Sequence, residues 1–267
     1  MVSQQTNWVP TSVDLEKPSS ARAYDYVLGG NHNFAVDREF VKQVQAVYPE
    51  SKYFAIMNRA YLRRVVLYLL DQGIRQFLDL GSGIPTVGNV HEVAQAVDPS
   101  ARVVYVDIEH VAVAHSQLLL EGNPNAEMVH ADITKPGLVL SDPATKELLD
   151  FTKPVGVLGI TIGHYILEDA DKVFAAYRDA VPSGSYLALS HLTDDFVEMD
   201  EITSAMGRTQ NSLKPRTKAE ILEFFGDWEL VEPGLVTTSQ WRPDRDNDPK
   251  EVAEQRDGLY AGVARKR

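Results

Sequence analysis

The run Asp79-Leu80-Gly81-Ser82-Gly83 puts a carboxylate two positions ahead of a glycine pair, a spacing that lets backbone approach a ligand closely where a strand turns into a helix. A dinucleotide fingerprint needs a third glycine where Thr86 stands, and a phosphate loop needs a Gly-Lys-Ser/Thr that this run lacks. The acid suits a ligand with a cationic amino-acid end and no phosphate there. Asp107, 24 residues after Gly83, can accept both hydroxyls of a ribose diol, and Ile108 follows it. Asp132 can accept from an adenine amine while the Ile133 amide addresses the ring. Each acid could instead cap a helix; three at successive strand ends favour a nucleoside with an amino-acid tail. Two histidines are candidate general bases, His164 in Ile162-Gly163-His164-Tyr165 and His191 in Leu189-Ser190-His191. An imidazole with its ordinary pKa of about 6.5 suits that task, and equally such a ring can bond backbone or pack on the ligand.

These residues need a scaffold of alternating strands and helices, which the apolar periodicity supplies. Strands are expected at 76–80, 102–106, 127–130, 155–162 and 185–190, with helices at 85–97, 111–120, 143–149 and 170–180 between or after them. That alternation gives a mostly parallel sheet covered on both faces, with ligands held outside the carboxyl ends of the strands. Ahead of it, helices at 21–28, 37–48 and 52–71 make the first seventy residues helical. After it, 203–216 lacks an apolar period and is expected to be a mobile connection. A helix at 218–225, strands at 229–232 and 259–265, a return at 237–241 and a surface loop at 242–254 complete the chain.

Composition narrows the partners. The 267 residues are 44% hydrophobic and 24% charged, enough for a sizeable core. A formal charge of −12 argues against nucleic acid or an anionic membrane as partner and favours small molecules. With no cysteine there is no thiol nucleophile or thiolate metal site. The acidic residues around 194–201 lack a nearby histidine, and His110 and His115 miss the spacing of a helical metal pair, so no metal is expected. The polar start and the shortness of the apolar run 65–70, against the roughly 20 residues a membrane span needs, make cytoplasmic the expected location.

Several stretches together resemble a known family. They are Ala21-Arg22-Ala23-Tyr24-Asp25-Tyr26-Val27-Leu28-Gly29-Gly30, Asn58-Arg59-Ala60, Gly81-Ser82-Gly83-Ile84-Pro85-Thr86, Val103-Val104-Tyr105-Val106-Asp107, Ser190-His191, Val231-Glu232-Pro233-Gly234 and Trp241-Arg242-Pro243. The combination is similar to an S-adenosylmethionine-dependent methyltransferase family, well represented in actinobacteria, of the class I, Rossmann-like type. The resemblance implies a mostly parallel seven-stranded α/β sheet with helices on both faces and an N-terminal helical extension. Residues 1–73 would cover the cofactor site and 74–267 would form the catalytic domain, as one structural unit. It implies that Asp79, Gly81, Ser82 and Gly83 line the methionine end, Asp107 and Ile108 the ribose side, and Asp132 with Ile133 the adenine, while Gly163 and His164 belong to the same set. Tyr24, Gly29 and Arg59 would complete the pocket from the N-terminal helices. The chain departs from the family at Ile108-Glu109-His110, where Asn-Asp-Pro is usual, and at Asn31-His32, where Lys-Asp is common.

The expected function is methyl transfer to a small-molecule O or N acceptor, under a roof of Tyr24, Tyr26, Phe34 and Trp241 suited to an aromatic ring. Two alternatives stay open at this point: a non-catalytic sensor that binds the cofactor or its product, and a nicotinamide-dependent oxidoreductase, which Thr86 disfavours. Monomer and homodimer are both open.

Overall fold

The computed structural model describes residues 14–85, 88–196, 203–204, 212–249 and 257–267. Three helices come first, α1 (Ser20–Val27), α2 (Ala35–Val47) and α3 (Ser51–Asp71). Ser19 starts α1 by accepting the Arg22 amide on its side chain, and Gly29, at φ +84°, turns the chain away from the helix end. Asp37 stands in the first turn of α2, where it accepts the Phe34 amide at 2.8 Å and the Ser19 amide at 2.9 Å. The same carboxylate takes the Arg22 Nε–H at 2.8 Å with both side chains buried. A buried ion pair holds only when its remaining donors are satisfied; here Arg22 also donates to the Lys17 carbonyl at 2.7 Å, so α1 and α2 are locked as a pair.

Among the described residues the sheet has eight strands in the order β3-β2-β1-β4-β5-β8-β6, with β7 alongside β8. They are β1 (Gln76–Leu80), β2 (Arg102–Asp107), β3 (Ala126–His130), β4 (Gly156–Ile160), β5 (Tyr186–Leu192), β6 (Glu229–Leu230), β7 (Val236–Thr237) and β8 (Leu259–Arg265). The first five run parallel, and β8 runs antiparallel to β5 from Tyr186↔Arg265 to Leu192↔Leu259. Seven strands match the expected architecture; the eighth is the two-residue β7, one residue earlier than the return expected at 237–241.

Helices α4 (Val90–Val97) and α5 (His110–Leu119) follow β1 and β2; α6 (Pro136–Ser141), α7 (Pro143–Leu148) and α8 (Ala170–Ala180) flank β4. The helix expected from residue 85 starts only at Val90. Gly88 sits at φ +77°, and Glu92 takes the amides of Gly88 and Asn89 at 2.9 and 2.8 Å, which fixes the start there. Adjacent β1 residues Phe77 and Leu78 point to opposite faces and neither is exposed, so the sheet is buried on both sides. One face packs Phe77, Val103 and Leu158 under Tyr61, Val65 and Leu69 of α3; the other packs Leu78, Val104 and Val157 under Phe174 and Tyr177 of α8. Strand order reverses between β1 and β4, and the carboxyl ends of those strands open onto the main cavity. Among the described residues no helix is long and apolar enough to cross a membrane.

Candidate active site

The glycine loop is shaped by its backbone. Gly81 and Gly83 both sit at φ +67°, and a Cβ on Gly81 would lie 2.3 Å from the Ile162 side chain. The Gly81 amide donates to the Val106 carbonyl at 2.8 Å, tying the loop to β2. At the tip of β2, Asp107 accepts the Gly83 amide at 2.7 Å and the Glu109 amide at 2.8 Å. A carboxylate offers about four lone-pair sites, so acceptor capacity remains on a side chain that lines the cavity. Burial pushes the Asp107 carboxyl up to about 6 against the pull of those amides.

Asp79 lines the same cavity at the end of β1. Burial pushes its carboxyl up to about 7; Arg59 draws it back in part and Asp107 pushes it further. A cation placed here would restore the ionised form. The Ser82 hydroxyl is buried with no hydrogen-bond partner among the described residues. A buried acid whose charge Arg59 only partly restores, an orphaned hydroxyl, and a diol-sized acceptor beside a left-handed glycine loop together fit an amino-acid-tailed nucleoside.

The cavity, about 320 Å³, falls in the range of small-molecule sites. Tyr24, Arg59, Asp79, Gly81, Ser82, Gly83, Asp107, Ile108 and His164 all line it, so helices α1 and α3 do close over the strand ends. Gly29, Asp132, Ile133, Gly163 and His191 lie outside its lining. Asp132 is engaged by its own turn, accepting the Thr134 amide at 2.9 Å and hydroxyl at 2.6 Å, with Lys135 at 3.4 Å. The Ile133 side chain is core, and its carbonyl takes the Tyr177 hydroxyl at 2.8 Å. Of the expected aromatic roof only Tyr24 is present. Trp241 is wholly buried on the α3 side of the sheet, edge-on to Tyr61 and Tyr68; the Phe34 ring carries the Arg22 guanidinium; Tyr26 packs behind the cavity wall.

The two histidines are not equivalent. His191 Nδ1 lies 2.7 Å from the Leu192 carbonyl and must donate to it, which leaves Nε2 to accept from Arg216 at 3.0 Å. Its lone pair is therefore spoken for, and burial pushes the ring down to about 4. His164 lines the cavity and accepts the Leu192 amide on Nδ1 at 3.5 Å; burial, His191 and Arg216 hold it well below its usual range. Burial favours the neutral form of both rings.

Sequence reasoning missed a hub. Asn58 Nδ2 donates to the Tyr24 hydroxyl at 3.0 Å and Thr161 Oγ1 at 3.3 Å, and its Oδ1 takes the Ser190 hydroxyl at 2.6 Å. Thr161, at the tip of β4, holds a left-handed φ of +53°, rare for a β-branched residue and supported here by its amide bond to Ser190 Oγ at 2.9 Å. Asn58 and Ser190 each sat in a stretch that carried the family resemblance; Thr161 carried no such signal.

The profile of a family described as S-adenosyl methyltransferase matches residues 6–267. A Thermobifida fusca YX protein, assigned by inference to the methyltransferases, is 40% identical over 98% of this chain and 100% of its own, with a TM-score of 0.90. A DUF574 family protein from Streptomyces avermitilis MA-4680 is 38% identical over 95% of this chain and 99% of its own, with a TM-score of 0.88. The Burkholderia thailandensis 1,6-didemethyltoxoflavin-N1-methyltransferase, seen with that substrate and S-adenosylhomocysteine, is 14% identical over 97% of this chain and 94% of its own, at a TM-score of 0.50, and shares the fold alone. A search of curated proteins finds no match. The chain belongs to the S-adenosyl methyltransferase family, and S-adenosylmethionine is its cofactor.

Proposed function

We propose that this protein transfers a methyl group from S-adenosylmethionine to an O or N atom of a small-molecule acceptor. The observation that carries the reading is a single cavity with a charged half at the glycine loop and a second half, under α1 and α2, left over for another molecule. The bound sulfonium supplies an electrophilic methyl group. Asp79 would hold the ammonium end, Gly81 to Gly83 would pass close beneath the tail, and Asp107 would take the ribose diol. Tyr24 and Asn58, fixed by their mutual bond, would cap the opposite side.

On this reading neither histidine serves as the base, and the protein's part in the reaction is to align the acceptor with the methyl group. The acceptor's proton would leave to solvent. The open second half favours this over a sensor, which has no need of room beyond its ligand. Calorimetric titration with S-adenosylmethionine, S-adenosylhomocysteine and NAD tests the cofactor half: micromolar binding of the first two and none of the third is expected. A radiolabelled-methyl screen against neutral and charged acceptors then tests transfer. Tight cofactor binding with no acceptor methylated across chemical classes would turn the reading to a sensor.

A further inference from the structure

The second half of the cavity has a chemical character of its own. Its walls are Ala23 and Val27 of α1, Phe40, Val41 and Val44 of α2, and Leu213 from the segment before the helix Lys218–Glu223. These side chains form one apolar cluster, and Leu192 joins it to a second one with Phe54 and Leu259, which also line the cavity. Among the described residues the charged walls are Arg59, Asp79, Asp107 and Glu109, the last accepting the Ser19 hydroxyl at 2.9 Å, and none of the four belongs to the apolar cluster. At the junction stands His164, whose ring is held by the Leu192 amide.

The geometry points to an uncharged aromatic or similarly apolar acceptor bound in this lobe, with Phe40, Val44 and Leu213 setting the size it admits. This rests on the methyl-transfer reading above and names its substrate class. An ionised group placed among these side chains would exchange its water for an apolar wall, a cost that selects neutral ligands. A flat ring would recover apolar contact from α2 and from Leu213. The lobe is also held in shape. The Lys214 amide donates to the His164 carbonyl at 2.7 Å and the Arg216 amide to the Leu192 carbonyl at 3.1 Å, so Leu213 is presented from a pinned strap rather than a free end. On the far wall the Arg22–Asp37 pair fixes α2 against α1.

The test uses the full chain saturated with S-adenosylhomocysteine and the neutral fluorescent probe N-phenyl-1-naphthylamine. Saturable binding of one probe per chain is expected, displaced by 1-naphthol and displaced at least about tenfold less well by 1-naphthoate or 1-naphthylmethylammonium. Val44→Trp, at a half-buried position that can absorb bulk, should weaken the probe by about tenfold or more while leaving S-adenosylhomocysteine affinity within about twofold. Phe40→Leu, checked for folding by its melting curve, should admit larger rings. Equal competition by charged and neutral naphthalenes, or an unchanged probe affinity in Val44→Trp, would overturn the proposal. Failure of the wild type to bind S-adenosylhomocysteine would instead overturn the cofactor half, so the two failures are told apart.

Discussion

The Asp107 carboxylate grips the Gly83 amide at 2.7 Å, so the side chain placed for the ribose also fixes the loop placed for the methionine end. The two halves of cofactor recognition are thereby one unit. Asp107→Asn keeps the size but offers a donor where Gly83 and Glu109 present N–H groups, leaving two amides facing an NH₂ or a single oxygen. S-adenosylhomocysteine affinity should fall by about 100-fold, close to 2.8 kcal/mol. Calorimetry on the variant checks it; a loss below about threefold would mean that Asp107 serves the loop only.

Asp79 makes binding depend on pH. A carboxyl pushed up to about 7 in the folded chain binds its proton more tightly folded than unfolded, so at this position the ligand-free fold loses stability as pH rises from about 4 towards about 7. A ligand ammonium favours the ionised form. Affinity for S-adenosylhomocysteine should therefore rise with pH up to about 7 and level off above it, with proton uptake or release tracking the same window in buffers of different ionisation enthalpy. Asp79→Asn should flatten that profile and weaken binding. It should also raise the melting temperature of the ligand-free protein at pH 8 by a few degrees, at about 2–4 °C per kcal/mol for a chain of this size.

Asn58 ties α1, α3 and the tips of β4 and β5 through one amide. Asn58→Ala leaves the buried Ser190 hydroxyl without its acceptor and removes a support of the left-handed Thr161, at a cost of about 1–3 kcal/mol. The expected result is a lower melting temperature together with weaker S-adenosylhomocysteine binding, since the Tyr24 hydroxyl keeps only its bond to the Ala55 carbonyl at the cavity wall. Asn58→Asp keeps the acceptor for Ser190 but turns a buried carboxylate onto the Tyr24 and Thr161 oxygens, whose own protons go to the Ala55 and Ile160 carbonyls, so it should be no more stable than Asn58→Ala and bind no better.

What the sequence made legible follows the physics of each signal. Strand ends were readable because apolar runs stop where polar ligand-binding residues begin, and so Asp79, the glycine loop and Asp107 came out together. The helical cover was readable from its period of 3.6, though not which of its side chains face inward. Tyr24 turns into the cavity while Tyr26, two residues on, turns away, as helical spacing of about 100° per residue requires. Trp241 misled because a surface loop was expected to follow it, yet Arg64 donates to its carbonyl at 3.0 Å and draws it under α3. The adenine contacts were inferred from Asp132 at a third strand tip; it stands outside the cavity lining, with Oδ1 taking the Thr134 amide and hydroxyl and Oδ2 facing Lys135. The stretch 203–216 lies mostly outside the described residues, which here are 203–204 and 212–216; of these Leu213 lines the cavity, and the Lys214 and Arg216 amides pin the strap.

His191 supplies the sharpest separation between a base and a brace. Its ring joins the Leu192 carbonyl to Arg216, whose guanidinium also donates to the Gly163 carbonyl at 3.0 Å and the Ile166 carbonyl at 2.5 Å. A histidine held neutral, with its pKa pushed down to about 4 by burial, stabilises the fold fully above the unfolded value of about 6.5 and less as pH falls towards 4, because the unfolded chain takes up the proton first. His191→Gln cannot be protonated, so its melting temperature should decline less steeply than that of the wild type between pH 7 and pH 5, from a lower starting point. Its S-adenosylhomocysteine affinity at pH 8 should stay within about threefold of wild type, a difference under 1 kcal/mol. In nuclear magnetic resonance the wild-type His191 ring should show the Nδ1–H tautomer and no titration down to pH 5. A ring that titrates near 6.5 would reinstate it as a candidate base and dissolve the brace.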